Sequence, residues 1–280
     1  MNIIDVIKTG NNLLKKKGIK SYQLDSEILM TKVLKKNRID IILNSNTKLS
    51  DREIVIYNNL IEERSKRKPI AYLTGKKEFW KHEFNVTKDV LIPRPDTEII
   101  IEKTLKLTKN KNKLKMLEIG IGSGCILLSI LKERKSFYGT GIDISKKTIE
   151  ICKINCKNLG LSSRVKLFKT DIDNFRYGKY DLIISNPPYI KKFDLKYLEK
   201  EVSFYEPKPA LDGGLDGLSE LKKVILNSSK LIKRNGKLVL EIAFDQAESV
   251  KSILKQNEFY INEIIKDLSK KNRCIISTRK

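Results

Sequence analysis

Lys115-Met116-Leu117-Glu118-Ile119-Gly120-Ile121-Gly122-Ser123-Gly124 is the stretch whose reading decides the fold. Its first five residues read as a short buried strand, and three glycines at alternate positions close it. Apolar spacing then continues as a helix from about Ile126 to Arg134. A strand turning through glycines into a helix opens a unit of a doubly wound α/β sheet, whose ligands lie outside the carboxyl ends of the strands.

The same alternation runs on downstream. Strands are expected at Tyr138 to Ile144, Val165 to Phe168, Tyr180 to Ser185 and Lys237 to Ile242, with a helix between the first two ending near Leu159. Alternation of this kind predicts a mainly parallel sheet covered on both faces. The last two strands, Tyr260 to Ile265 and Cys274 to Thr278, are joined by a short polar segment with no helix. They should form an antiparallel hairpin. The fold class is therefore α/β, a mostly parallel seven-stranded sheet with a terminal antiparallel hairpin.

Upstream, apolar residues recur at helical spacing, as in Ile4, Ile7, Leu13 and Leu14 and again in Leu24, Ile28, Leu29 and Val33. Ser50-Asp51-Arg52-Glu53 has the form of a capping box opening a further helix. Pro69 interrupts that pattern, and Phe79, Trp80, Phe84, Val86, Val90 and Ile92 then stand among polar residues as in a hairpin or extended connector. The expected division is a small helical domain over residues 1–73, a hairpin and linker over 74–93, and the α/β domain over 94–280.

The chain carries 57 Lys and Arg against 34 Asp and Glu, a formal charge of +23. Such an excess suits a polyanionic partner when clustered, but here the lysines are spread along the whole chain, which equally reads as a solvated surface. No apolar run approaches the roughly 20 residues needed to span a bilayer, and the N-terminal segment has helical spacing and an early acid rather than the features of a signal. Cys125, Cys152, Cys156 and Cys274 lack paired short spacing, and His82 is the only histidine. Reduced thiols, a cytoplasmic setting and no metal are expected.

Gly120, Ile121, Gly122, Ser123 and Gly124 follow a Gly-x-Gly-x-Gly spacing, shorter than the dinucleotide fingerprint. This fits a ligand without phosphates, or else a purely structural turn. About twenty residues on, Asp143 ends the next expected strand, where a carboxylate accepts hydrogen bonds from ribose hydroxyls or caps the following helix. Ser145 is an alternative cap. Asp171 and Ile172 follow the third strand, to frame an adenine ring or to cap a turn.

Ser185-Asn186-Pro187-Pro188-Tyr189 leaves the apolar strand Leu182-Ile183-Ile184 at the same edge of the sheet. A planar NH2 group has two donors and needs two acceptors, which the Asn186 side-chain oxygen and the Pro187 carbonyl supply. Neither proline has an N–H to compete, and Pro188 restricts Pro187 to an extended conformation. Tyr189 offers an aromatic face for a flat amide or base.

Asn186-Pro187-Pro188-Tyr189 resembles the catalytic motif of amino methyltransferases, and the whole chain looks like the PrmC/HemK family. The resemblance rests also on Ile70-Ala71-Tyr72-Leu73-Thr74-Gly75, Glu78-Phe79-Trp80, Leu91-Ile92-Pro93-Arg94-Pro95-Asp96-Thr97-Glu98, Tyr205-Glu206-Pro207 and Ala210 to Leu218. It covers essentially residues 20–280. It implies a class I, Rossmann-like methyltransferase that uses S-adenosylmethionine and methylates a glutamine side chain in the Gly-Gly-Gln motif of peptide chain release factors. It also implies that the helical domain helps dock the release factor, with the chain working as a monomer and without nucleic acid.

Three positions depart from the family pattern: Glu118 for the usual Asp, Ala243 where Glu-x-Gly is common, and Lys270-Lys271-Asn272-Arg273 for Gly-x-Asp-Arg. Two other functions use the same residues. A nucleic-acid methyltransferase would stack a flipped base on Tyr189, and a non-catalytic module would keep the fold alone.

Overall fold

The structure, a computed structural model, describes all 280 residues. They divide into two compact units, Met1–Lys76 with Glu199–Tyr205, and Lys77–Leu198 with Glu206–Lys280.

The first unit holds helices α1 (Ile3–Lys16), α2 (Tyr22–Leu34), α3 (Arg38–Leu43), α4 (Asp51–Ser65) and α5 (Ile70–Thr74). Ser50 caps α4 as its sequence announces: its hydroxyl accepts from Glu53 N, and the Glu53 carboxylate accepts from Ser50 N at 2.8 Å. Ile3, Val6, Gly10 and Leu14 bury one stripe of α1. Gly10 is small because a Cβ there would stand 2.5 Å from the Tyr57 hydroxyl on α4. At the polar centre of this unit, Arg64 donates to Asp25 at 2.7 Å and to Glu201 at 2.8 Å, with Arg64 and Asp25 both buried.

The second unit begins with the hairpin β1 (Lys76–Phe79) and β2 (His82–Asn85), which turns through Trp80 at φ 56°. Phe79 and Phe84 meet edge to face, with ring centroids 6.3 Å apart, and belong to this unit's core. There follow α6 (Glu98–Leu107), β3 (Lys115–Ile119), α7 (Cys125–Glu133), β4 (Tyr138–Asp143), α8 (Lys146–Asn158), β5 (Val165–Lys169) and β6 (Tyr180–Ser185). Then come α9 (Lys200–Tyr205, part of the first unit), α10 (Ser219–Leu231), β7 (Ile232–Glu241), α11 (Ala247–Gln256), β8 (Phe259–Lys266) and β9 (Asn272–Arg279).

The seven-stranded sheet has the order β5-β4-β3-β6-β7-β9-β8. β5 through β7 are parallel, and β9 runs antiparallel to both β7 and β8. This is the expected sheet with its terminal hairpin. Strand alternation builds two core layers. Met116, Leu182, Ile184 and Val239 face the layer shared with α6, α7 and α8. Leu117, Ile183, Leu238 and Leu240 face the layer shared with α10 and α11.

Strand order reverses between β3 and β6, so the connections leaving those two strands diverge to opposite faces. A crevice opens at such a switch point, at the carboxyl ends of the strands. In register, Ile119 lies beside Ser185 on β6 and beside Ile142 on β4. The glycine loop, Asp143 and Asn186 thus start from neighbouring strand ends.

Candidate active site

A cavity of about 330 Å³ occupies this switch point. Gly120, Ile121, Gly122, Ser123, Asp143, Asp171, Ile172, Asn186, Pro187 and Pro188 all line it. Of the residues singled out from sequence, Gly124 and Tyr189 do not. Gly124 has φ 82° at the N-cap of α7, and a Cβ there would lie 2.7 Å from Cys152 Sγ, so it serves close packing. Tyr189 packs its ring against the α10–α11 core layer, and its hydroxyl donates to Glu241 Oε1 at 3.2 Å.

Gly120 and Gly122 differ from Gly124. Both have positive φ, 72° and 54°, and a Cβ on either would project into open space, with no atom within 4 Å. Their bare backbone leaves room for a ligand to approach closely. Asp143 is fixed by backbone donors, with Gly122 N at 3.2 Å and Ser145 N at 2.9 Å, while Ser145 itself caps α8 by accepting from Thr148 N. Burial pushes the Asp143 carboxyl up, and these amides hold part of that rise down. Asp171 accepts from Asp173 N at 2.9 Å, capping a short 3-10 turn while also lining the cavity.

Glu118 lies under the glycine loop, 2% exposed, and its carboxylate caps α7 from below by accepting from Leu127 N at 2.9 Å. Desolvation drives its pKa well up, and the neighbouring charge of Asp143 adds to the rise. The longer glutamate thus takes over a helix-capping duty that Gly124 has no side chain to perform.

The wall also carries residues that sequence reasoning gave no individual role. Lys88, Asp89, Val90, Leu91, Pro93, Arg94 and Thr97 line it from the segment before α6, and Pro207, Pro209 and Ala210 from beyond Glu206. Buried Glu206 ties these two stretches by accepting from Ile92 N at 3.3 Å and pairing with Arg94. Thr148 Oγ1 donates to Asp89 O at 3.0 Å and pins the other end of the first stretch. Pro93, Arg94 and Thr97 stood in a quoted sequence block, but only the fold brings them to the glycine loop.

Around Asn186 the geometry is specific. Its Nδ2 donates to Thr97 Oγ1 at 3.4 Å, leaving Oδ1 as the acceptor it can present to the cavity. Thr97 is 2% exposed and stands beside Glu241, itself 2% exposed. Burial pushes the Glu241 carboxyl up to about 7, against the lowering effects of Thr97, Arg273 and Tyr189. Gln246 fixes the backbone of the loop, its Nε2 donating to Tyr189 O at 3.1 Å and to Gly217 O at 2.9 Å, and its Oε1 accepting from Ala243 N.

One of the departures from the family pattern, at Lys270, is explained here. Lys270 adopts φ 61° in the β8–β9 turn, the left-handed position a glycine takes without strain. Arg273 keeps its place, held by Asp267 at 2.9 Å. His82 is half-buried on β2 with Nε2 unpartnered, away from the cavity walls. No group of three or more His, Cys, Asp and Glu is placed to hold a metal, and no helix is long and apolar enough to cross a membrane.

Charge decides what the cavity accepts. Asp143 and Asp171 line it as carboxylates outside any ion pair, while Asp89 and Glu220 are paired with Lys147 and Lys223 and burial disfavours charge on Glu118; against them stand Lys88 and an Arg94 already paired with Glu206. In a chain of net charge +23, this is an acidic pocket. It disfavours a pyrophosphate and suits a nucleoside bearing positive charge, as the sulfonium and ammonium groups of S-adenosylmethionine do.

Comparison with known proteins agrees with this geometry. Residues 5–75 match the PrmC N-terminal domain, and residues 110–277 match a methyltransferase domain. A release factor glutamine methyltransferase of Clostridium acetobutylicum is 38% identical, the match covering 100% of this chain and 99% of that one. Its counterpart from Caulobacter vibrioides is 32% identical over 100% of this chain and 97% of its own. Among solved structures, a methyltransferase from Pyrococcus furiosus superposes with a TM-score of 0.55 at 17% identity, covering 82% of this chain and 99% of that one. At that identity the likeness shows the fold alone.

Proposed function

The chain belongs to the release factor glutamine methyltransferase family, and from that premise we propose how its own residues move a methyl group from S-adenosylmethionine to the side-chain amide nitrogen of the glutamine in the Gly-Gly-Gln motif of a release factor. The observation that carries the reading is the meeting of Asn186 and Pro187 with Gly120, Gly122 and Asp143 in one acidic cavity.

Gly120 and Gly122 leave room for close approach of the cofactor, Asp143 accepts from its ribose hydroxyls, and Asp171 and Ile172 frame its base. When bound, the cofactor would supply an electrophilic methyl group whose S–C bond breaks as the N–C bond forms, leaving neutral S-adenosylhomocysteine, while the amide nitrogen sheds one proton to solvent. Asn186 Oδ1 and the Pro187 carbonyl accept the two N–H donors of the substrate amide, which fixes the nitrogen and draws electron density onto it. An amide nitrogen is a poor nucleophile because its lone pair is shared with the carbonyl. Holding it in line at roughly 3–3.5 Å from the methyl carbon replaces a strong base. Tyr189 fixes the end of the loop through Glu241 and Gln246.

The helical unit, Met1–Lys76 with the added segment Glu199–Tyr205, acts as the docking domain for the release factor, and the unit from Lys77 onward, hairpin included, acts as the catalytic domain. The protein acts as a cytoplasmic monomer, in keeping with four cysteines that are all free thiols. Incubation with labelled S-adenosylmethionine and a purified release factor tests the reading: the wild type labels the protein, and Asn186→Ala slows labelling about 10²–10³-fold. Full transfer by Asn186→Ala removes Asn186 from the mechanism.

A further inference from the structure

The NH2 and oxygen ends of Asn186 have opposite uses. Only the oxygen can receive a substrate N–H, yet nothing in the asparagine itself says which end faces the cavity. Its partner, Thr97 Oγ1, receives Asn186 Nδ2 at 3.4 Å. A hydroxyl that accepts there must send its own proton elsewhere, and the buried acceptor beside Thr97 is the Glu241 carboxylate at the end of β7. Oε1 of that carboxylate already takes the Tyr189 hydroxyl at 3.2 Å, while Oε2 is buried without a hydrogen-bond partner. A buried, half-satisfied carboxylate is destabilising. It earns its place if it sets the direction of the hydrogen bonds around it.

Building on the methyl-transfer reading, we propose that Glu241 is a positioning residue: it accepts from the Thr97 and Tyr189 hydroxyls, so that Thr97 accepts from Asn186 Nδ2 and Asn186 turns Oδ1 to the acceptor amide. The chain of donation runs Asn186 to Thr97 to Glu241. A side chain at position 241 that turns a donor towards Thr97, as the NH2 end of a glutamine can, reverses it: Thr97 then accepts from position 241 and donates to Asn186 Oδ1, and the asparagine presents NH2 to a substrate NH2. Protonating Glu241 has the same consequence.

The charged and titratable groups facing Glu241 are Arg273 and Cys274 on β9, Asp96 before α6, Cys125 on α7 and Tyr189. Burial outweighs the help from Arg273, bringing the carboxyl to about 7. The reversal therefore falls in the neutral range. Methyl transfer is supported above about pH 7 and declines as pH falls through that value.

The test compares Glu241→Gln with the wild type. The variant should lose about tenfold in kcat, the worth of one positioned hydrogen bond, while its calorimetric Kd for S-adenosylmethionine stays within about threefold. The wild-type kcat should show an inflection near pH 7 that the variant lacks. Should Glu241→Gln fail to fold, Thr97→Ser and Thr97→Val decide: the hydroxyl-bearing serine keeps kcat within about threefold, and the valine loses about tenfold.

A readout that needs no acceptor protein separates this inference from the reading beneath it. The Asn186 side-chain amide resonance of the wild type, identified by its disappearance in Asn186→Asp, should shift with pH around about 7 and lose that response in Glu241→Gln. A wild type that labels no release factor refutes the proposed function, and the resonance still judges Glu241. An unshifted resonance, an unchanged kcat and pH profile in Glu241→Gln, or equal activity of the two Thr97 variants overturns the inference.

Discussion

Alanine at Gly122 and alanine at Gly124 should damage the protein in different ways, although the two glycines are two residues apart in one motif. At Gly124 the new Cβ would sit 2.7 Å from Cys152 Sγ and 2.9 Å from Leu128 Cδ1, both fully buried, on a backbone with φ 82°. Left-handed strain of about 1–2 kcal/mol joins overpacking of about 1–3 kcal/mol. In a unit of this size each kcal/mol is worth roughly 2–4 °C of Tm, so a fall of roughly 4–20 °C is expected. At Gly122, φ is 54° and no atom lies within 4 Å of the added Cβ. Only the strain remains, a fall of roughly 2–8 °C, but the methyl group enters the cavity wall where a cofactor must approach. Its Kd for S-adenosylmethionine should weaken by at least about tenfold, or ~1.4 kcal/mol. Circular-dichroism melts and titration calorimetry read the two effects separately. Gly122→Ala binding the cofactor as tightly as the wild type would refute the cradle, and Gly124→Ala with an unchanged Tm would refute the packing argument.

Other perturbations follow the same logic. Asp143→Ala removes the carboxylate assigned to the ribose and strips Gly122 N and Ser145 N of their acceptor; cofactor affinity in calorimetry should drop by about 10–100-fold. Glu241 has a folded pKa of about 7, above its ordinary 4.5. The folded state therefore keeps a proton that the unfolded chain loses, and stability declines as pH rises from 4.5 to about 7. Glu241→Gln should resist urea better than the wild type at pH 8, by up to ~3 kcal/mol, and the advantage should shrink as pH falls towards 4.5. Arg64→Ala leaves Asp25 buried without its 2.7 Å partner, which should destabilise the helical unit by about 3–5 kcal/mol, seen as faster amide exchange in α2 and α4.

The parts of the site legible in the sequence were those that a few adjacent residues specify. A strand closed by glycines and Asn186-Pro187-Pro188-Tyr189 after a second strand each carry their geometry locally, through φ freedom at Gly120 and Gly122 and through missing N–H groups at Pro187 and Pro188. Strand alternation likewise announced the order of elements. The supports were not legible because they come together only in three dimensions. Thr97 comes from the segment before α6 and Glu241 and Gln246 from the end of β7 and the turn after it, and nothing around any of them names Asn186 or Tyr189 as its neighbour.

The direction of a side chain was also hidden. The motif predicts an aromatic face for the substrate at Tyr189, but its hydroxyl is held by Glu241 and the ring lies outside the cavity lining. Spacing alone groups Gly124 with the cofactor glycines. Its close neighbours Cys152 and Leu128 identify it as a packing glycine, and Cys152, 28 residues away, is not a contact that motif spacing can reveal.

The central claim is that this cavity delivers a methyl group to one amide nitrogen of one protein motif. Its most direct test offers the purified protein S-adenosylmethionine together with both a release factor and an equal mass of total nucleic acid, and maps the transferred methyl by fragment mass spectrometry. The account predicts one added methyl on the glutamine side chain of Gly-Gly-Gln, appearing about 10²–10³-fold more slowly with Asn186→Ala. Methyl groups on nucleic acid with none on that glutamine would contradict it.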